Sequence, residues 1–133
     1  MVQLSCAIYL QDILEVRMIK LEETRIERMN EMPQINEILP NELQQLVKED
    51  KNVVIVDVRE DDEVAQGMIK DAKHIPLHKI PHSINNLDKD KHYVLVCRSG
   101  GRSMKAATFM DEHGFKVSNM TGGMLNWDDE IVL

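Results

Sequence analysis

Apolar side chains recur at helical spacing near the start of the chain, at Leu10, Ile13, Leu14, Met18 and Leu21, while Asp12, Glu15, Lys20, Glu22 and Glu23 fall mostly elsewhere on the wheel. That pattern predicts a moderately amphipathic helix. From Pro33 onward the pattern changes, and short Val- and Ile-rich runs alternate with helical ones. This alternation predicts an α/β domain with a mainly parallel sheet. Residues 41–49 read as a helix with Asn41 as its N-cap just after Pro40. Val53, Val54, Ile55, Val56 and Val58 make a continuous apolar strand, of the kind covered on both faces. Asp61 caps a short helix that stops at Gly67, and residues 93–96 form a second strong strand. The next helix begins near Arg102, packs Ala106, Ala107, Phe109 and Met110, and is capped by Gly114. Residues 117–120 are the final strand, after which Gly122 and Gly123 turn into a terminal helix anchored by Trp127.

All six glycines and all four prolines lie at or after Pro33. The composition boundary divides the chain into an N-terminal extension, 1–33, helical or partly disordered, and a domain over 34–133. The extension reads as a docking helix for its own domain or for a protein partner, or as chain upstream of a start at Met18, Met29 or Met32. Its polar face is as acidic as it is basic, which argues against a membrane surface.

Hydrophobic residues at 43% and charged residues at 29% place the whole 133-residue chain among globular proteins and exclude disordered, collagen-like and membrane-embedded classes. A net charge of -7 repels nucleic-acid backbones and anionic lipids, so neither is an expected partner. Cys6 and Cys97 form no CxxC pair, which argues against a disulfide framework or a cysteine-rich zinc site and for a reducing compartment. Ser5, Gln11, Asp12 and Glu15 interrupt any apolar run near the start, so a cytoplasmic location is expected.

The strand over 93–96 ends directly in Cys97, Arg98, Ser99, Gly100, Gly101, Arg102 and Ser103, with a helix behind. Ligands of open α/β sheets collect at the carboxyl ends of strands, and loop N–H groups at a helix start point at negative charge. Cys97 would lie at the bottom of such a cradle. The helix dipole contributes about 0.3–1 kcal/mol, and Arg98 and Arg102 add to it, so the thiol should ionise below its free value. Gly100 and Gly101 are expected to adopt positive φ and allow close approach of a ligand. Ser99 and Ser103 are candidate hydroxyl donors.

The string CRSGGRS after the strand YVLV resembles the active-site loop of single-domain rhodaneses, the thiosulfate sulfurtransferase family. The resemblance runs over about residues 34–133 through VVIVDVRE, GMIKDAKHIPL and GFKVSNMTGGMLNW, in the family's order. It implies a rhodanese-like α/β fold of about five short, mainly parallel strands flanked by helices, and a double displacement in which Cys97 takes a sulfur from a small anionic donor such as thiosulfate and passes it to a thiol, cyanide or protein acceptor. It further implies that the amides of residues 98–103 hold the persulfide, that Arg102 closes the loop and orients the anion, and that Asp57 and Arg59 brace the loop from below or form a structural ion pair. No metal or organic cofactor is implied. The six-residue span from Cys97 to Arg102 is the sulfurtransferase form; related phosphatases carry one residue more. A persulfide carrier, loaded by a protein and turning over little thiosulfate, is the alternative, with the N-terminal helix as partner site.

Two features depart from the family. Gly67-Met68-Ile69-Lys70-Asp71-Ala72 stands where GHIPGA is common, and the first 33 residues have no counterpart in the minimal form. His74, His78 and His82 are four apart, but Pro76 and Pro81 break the helix that would stack them, so they read as exposed loop residues without a metal. The acidic residues 60–63 read as a charged helix start.

Overall fold

A computed structural model describes residues 34–133. The predicted amphipathic helix, Cys6 and the boundary at residue 33 lie outside the described residues. The elements run β1 (Asn36–Ile38), α1 (Pro40–Glu49), β2 (Val53–Asp57), α2 (Asp61–Val64), β3 (Met68–Ile69), β4 (Lys73–His74), α3 (Ile80–Ser83), β5 (His92–Val96), α4 (Gly101–Glu112), β6 (Lys116–Met120) and β7 (Ile131–Val132). Five strands form one sheet in the order β1-β6-β5-β2-β4, with every neighbouring pair parallel. The expected α/β architecture is thus present.

Both faces of this sheet are covered, which is why β2 and β5 read as unbroken apolar runs. Val56, Tyr93, Leu95 and Cys97 pack with Ala106, Ala107 and Met110 of α4 on one face. Ile55, Val94, Val96 and Met120 pack with Leu43 of α1 on the other, where Met124 and Trp127 join them. β5 is therefore the central strand, and its carboxyl end emerges between β2 and β6.

Several local expectations are corrected. Helix α1 starts one residue earlier than read, with Pro40 as its first residue and Leu39, not Asn41, at the N-cap. A proline suits that position because its φ is already helical and it lacks an N–H that would go unpaired there. The cap of α2 is Glu60 rather than Asp61, and the helix ends at Val64 rather than running on to Gly67. No terminal helix follows β6: Gly123–Asn126 is a single 3-10 turn, and Trp127 is already extended. The N–H groups of Met124 and Leu125 donate to the carbonyls of Cys97 and Arg98 at 2.8 and 3.1 Å. Nor is β6 the last strand, since β7 returns antiparallel to β3. His74 is half-buried rather than exposed, with Nε2 2.7 Å from the carbonyl oxygen of Arg59, while His78 and His82 are exposed. Among the described residues no group of three side chains could hold a metal ion, and no helix is long and apolar enough to cross a membrane.

Candidate active site

Strand β5 delivers Cys97 to the carboxyl edge of the sheet, where the residue is 1% exposed. Its sulfur faces the first turn of α4. The Gly100 N–H donates to Sγ at 3.0 Å, and Ser103 Oγ lies 3.3 Å from it. Gly100 takes φ +107°, a left-handed turn that folds its N–H back toward the sulfur and that side chains rarely tolerate. Gly101 does not share this role: it is the first residue of α4, has no positive φ, and open space lies where a Cβ would stand.

Burial pushes the Cys97 thiol up, but the Ser103 hydroxyl and the amides of Ser103, Gly100 and Ser99 outweigh it and bring the thiol below its ordinary value. The direction is the one read from the sequence. The leading agents are hydrogen bonds at the helix start rather than the two arginine charges.

Arg102 turns its guanidinium to Glu63 of α2, with Nη1–Oε1 at 2.5 Å and Nη2–Oε2 at 2.8 Å. The Arg102 fork draws Glu63 from an ordinary 4.5 to about 2, and Glu63 in turn raises Arg102. Arg102 thus ties the loop helix to α2. Arg98 and Ser99 are exposed, and Arg98 has no ion pair among the described residues. It borders a cavity of about 550 Å³ with Glu63, Gln66, Gly67, Met124 and Leu125. A larger cavity of about 640 Å³, between α1 and the β2–β4 edge, holds no residue of the cysteine loop.

Asp57 and Arg59 lie beneath, at the end of β2. Arg59 Nε and Nη2 reach the Asp57 carboxylate at 2.8–3.0 Å, and Nη2 also donates to the Gly67 carbonyl at 2.8 Å. This pair fixes the turn out of β2, whose next residue, Val58, donates its N–H to the Val96 carbonyl at 2.9 Å. The pair reaches the loop through the backbone of β5.

Three further residues belong to the site. Glu63 sits in the acidic run read as helix capping. Asn119 is fully buried behind the loop; it stands beside Ser118, also buried, in the half-polar run Val117-Ser118-Asn119-Met120, so the sequence does not single it out. Gly123 lies against the carbonyls of Cys97 and Arg98.

The Glu63–Arg102 pair predicts a pH dependence. Because the folded-state value of Glu63 lies below the unfolded one, its contribution is complete above about 4.5 and is lost as pH falls toward 2. Both side chains keep partial exposure, so Glu63→Gln should cost about 1 kcal/mol at pH 7 after allowance for solvent screening. Urea unfolding at pH 7 and pH 3 should show a clearly smaller loss at the lower pH. An equal loss would mean that the charge contributes nothing.

The sequence model of the Rhodanese-like domain matches residues 39–130. The chain is 47% identical over 97 residues to the "Putative sulfurtransferase YtwF" of Bacillus subtilis, covering 73% of this chain and 94% of that protein. It is 32% identical over 97 residues to the thiosulfate sulfurtransferase GlpE of Pseudomonas putida, covering 72% and 87%. Among solved structures, a rhodanese-like domain protein from Staphylococcus aureus superimposes with a TM-score of 0.70 at 39% identity, covering 74% of this chain and 98% of that one. A cysteine at the end of the central parallel strand, cradled by the next helix, is thus embedded in a sequence alike along the whole domain, and the chain belongs to the rhodanese-like domain family, with sulfurtransferases among its relatives.

Proposed function

We propose that this chain moves sulfane sulfur from thiosulfate, or a similar anionic donor, to a thiophilic acceptor through a persulfide on Cys97. The observation that carries this reading is the Cys97 sulfur, buried at the end of β5 with the Gly100 N–H 3.0 Å away and the first turn of α4 behind it. Such a cradle stabilises a sulfur anion and leaves the thiolate as nucleophile. In the first step the Cys97 thiolate attacks the outer sulfur of thiosulfate. A new S–S bond forms as the donor's S–S bond breaks, and sulfite leaves with the electron pair. In the second step cyanide or a thiolate attacks the terminal sulfur, producing thiocyanate or a new persulfide and returning the Cys97 thiolate. The named activity of the GlpE relative supports thiosulfate as donor.

Arg98, exposed at the cavity mouth, supplies positive charge for the oxygen-bearing end of the donor. Arg102 holds the loop helix in place through Glu63, and Asp57 with Arg59 supports the turn beneath. The reaction draws on no metal or organic cofactor, and a reducing cytoplasmic setting suits a reactive free thiol.

Intact mass after incubation with thiosulfate tests the proposal. The wild-type chain should gain one sulfur atom that cyanide then removes as thiocyanate, and Cys97→Ala should gain none. A reduced wild-type chain that gains no sulfur from thiosulfate overturns thiosulfate as donor; loading by a protein persulfide instead would assign the carrier role.

A further inference from the structure

Behind the loop, Asn119 is 1% exposed on β6, opposite Leu95 in the register with β5. Its Nδ2 donates to the Gly100 carbonyl at 3.2 Å, and its Oδ1 accepts from Ser103 Oγ at 2.5 Å. One side chain therefore grips two of the residues that reach the Cys97 sulfur: Gly100, whose N–H lies 3.0 Å away, and Ser103, whose hydroxyl lies 3.3 Å away. The amide has one favourable orientation. Turned over, it would set Oδ1 against the Gly100 carbonyl oxygen, two acceptors with no proton between them.

A serine hydroxyl carries a single proton. Here two acceptors compete for it, Asn119 Oδ1 at 2.5 Å and Cys97 Sγ at 3.3 Å. The shorter contact favours the amide.

We propose that Asn119 is a positioning residue whose amide oxygen competes with Cys97 Sγ for the single Ser103 hydroxyl proton and so limits how far that hydroxyl stabilises the thiolate. A charged sulfur draws the hydroxyl over only by breaking the Asn119 bond and leaving a buried amide oxygen unpaired. Asn119 thus limits the help that Ser103 gives the thiolate, so the thiol lies below its ordinary value but less far below than an uncontested hydroxyl would take it. The inference takes Cys97 as the reacting group of the proposed transfer, but its test reads the thiol and needs no sulfur donor.

The charged groups around the loop are Arg102 paired with Glu63 of α2, Arg59 paired with Asp57 at the end of β2, and Arg98 in the loop itself. All of them stay unchanged in the variants that follow. The experiment is the pH profile of iodoacetamide alkylation, read at the Cys97 peptide by mass, for Asn119→Leu and Asn119→Ala in both Ser103 and Ser103→Ala backgrounds. Freeing the hydroxyl should lower the midpoint by about one unit, roughly tenfold more thiolate at a pH well below it. In the Ser103→Ala background the same substitutions should move it far less, because the contested proton is gone. A residue that merely supports the loop would give the opposite sign, since a loosened cradle raises the midpoint. A raised midpoint, or an equal shift in both backgrounds, overturns the proposal. Should neither Asn119 variant fold, Ser103→Ala alone decides: a change of less than about half a unit supports it, and a rise of about half a unit or more overturns it by showing the proton already given to sulfur.

Discussion

Gly123→Ala is expected to lower sulfur transfer by about 100-fold and to destabilise the domain by about 3 kcal/mol, from a single added methyl group. Gly123 adopts φ +61°, where an L side chain is strained by about 1–2 kcal/mol. The added Cβ would also stand inside van der Waals contact with the carbonyl oxygens of Cys97 and Arg98. Both obstacles are backbone atoms of the cysteine loop, so no flexible side chain can swing aside. Relief requires the turn after β6 to move away from the loop, and with it go the bonds from Met124 N–H to the Cys97 carbonyl and from Leu125 N–H to the Arg98 carbonyl. Those two bonds fix the plane of the peptides that precede the sulfur cradle. Gly101→Ala is the internal control, because its Cβ meets no atom within 4 Å and its φ is not positive. It should keep full activity and gain a few tenths of a kcal/mol from the stiffer unfolded chain. The check is thiocyanate formation from thiosulfate and cyanide, alongside thermal unfolding of both variants. Equal losses at the two positions would show that glycine is needed for something other than this contact.

The contrast between these glycines also marks what the sequence reveals. Strands β2 and β5 are legible because burial on both faces leaves a run of Val, Ile and Leu with few polar interruptions. The cysteine loop is legible because strand, nucleophile, glycines and helix are consecutive. Arrangements that join distant residues are hidden. Arg102 and Glu63 are 39 positions apart, and nothing local distinguishes Glu63 from its acidic neighbours Glu60, Asp61 and Asp62. The apolar residues Met124, Leu125 and Trp127 carry a helical spacing. Even so, Met124 and Leu125 spend their N–H groups on the cysteine loop, and Leu125 stays 65% exposed. Tertiary hydrogen bonds there override local propensity. The cap of α1 fails for a local reason, since Pro40 takes the first helical position and displaces the boundary from Asn41.

Asp57→Ala should cost about 3–5 kcal/mol, because it leaves the Arg59 guanidinium buried without its carboxylate. Asp57 is 1% and Arg59 7% exposed, and four hydrogen bonds run from Arg59 to the Asp57 carboxylate, one of them from its backbone N–H. Water can reach neither partner well enough to replace them. Arg59→Met in the same chain removes the stranded charge, so the double variant should recover about half of the loss even though it lacks the pair. The Gly67 carbonyl also loses its Arg59 donor, which prevents full recovery. Urea unfolding of the two single variants and the double variant measures this directly. The same set separates two roles for the pair. Should Asp57 and Arg59 act only by fixing the turn beside β5, the folded double variant will keep the KM for thiosulfate and lose activity through a lower kcat. A KM raised tenfold or more with kcat unchanged would instead place Arg59 among the groups that bind the donor anion, at the wall of the cavity it shares with Arg98.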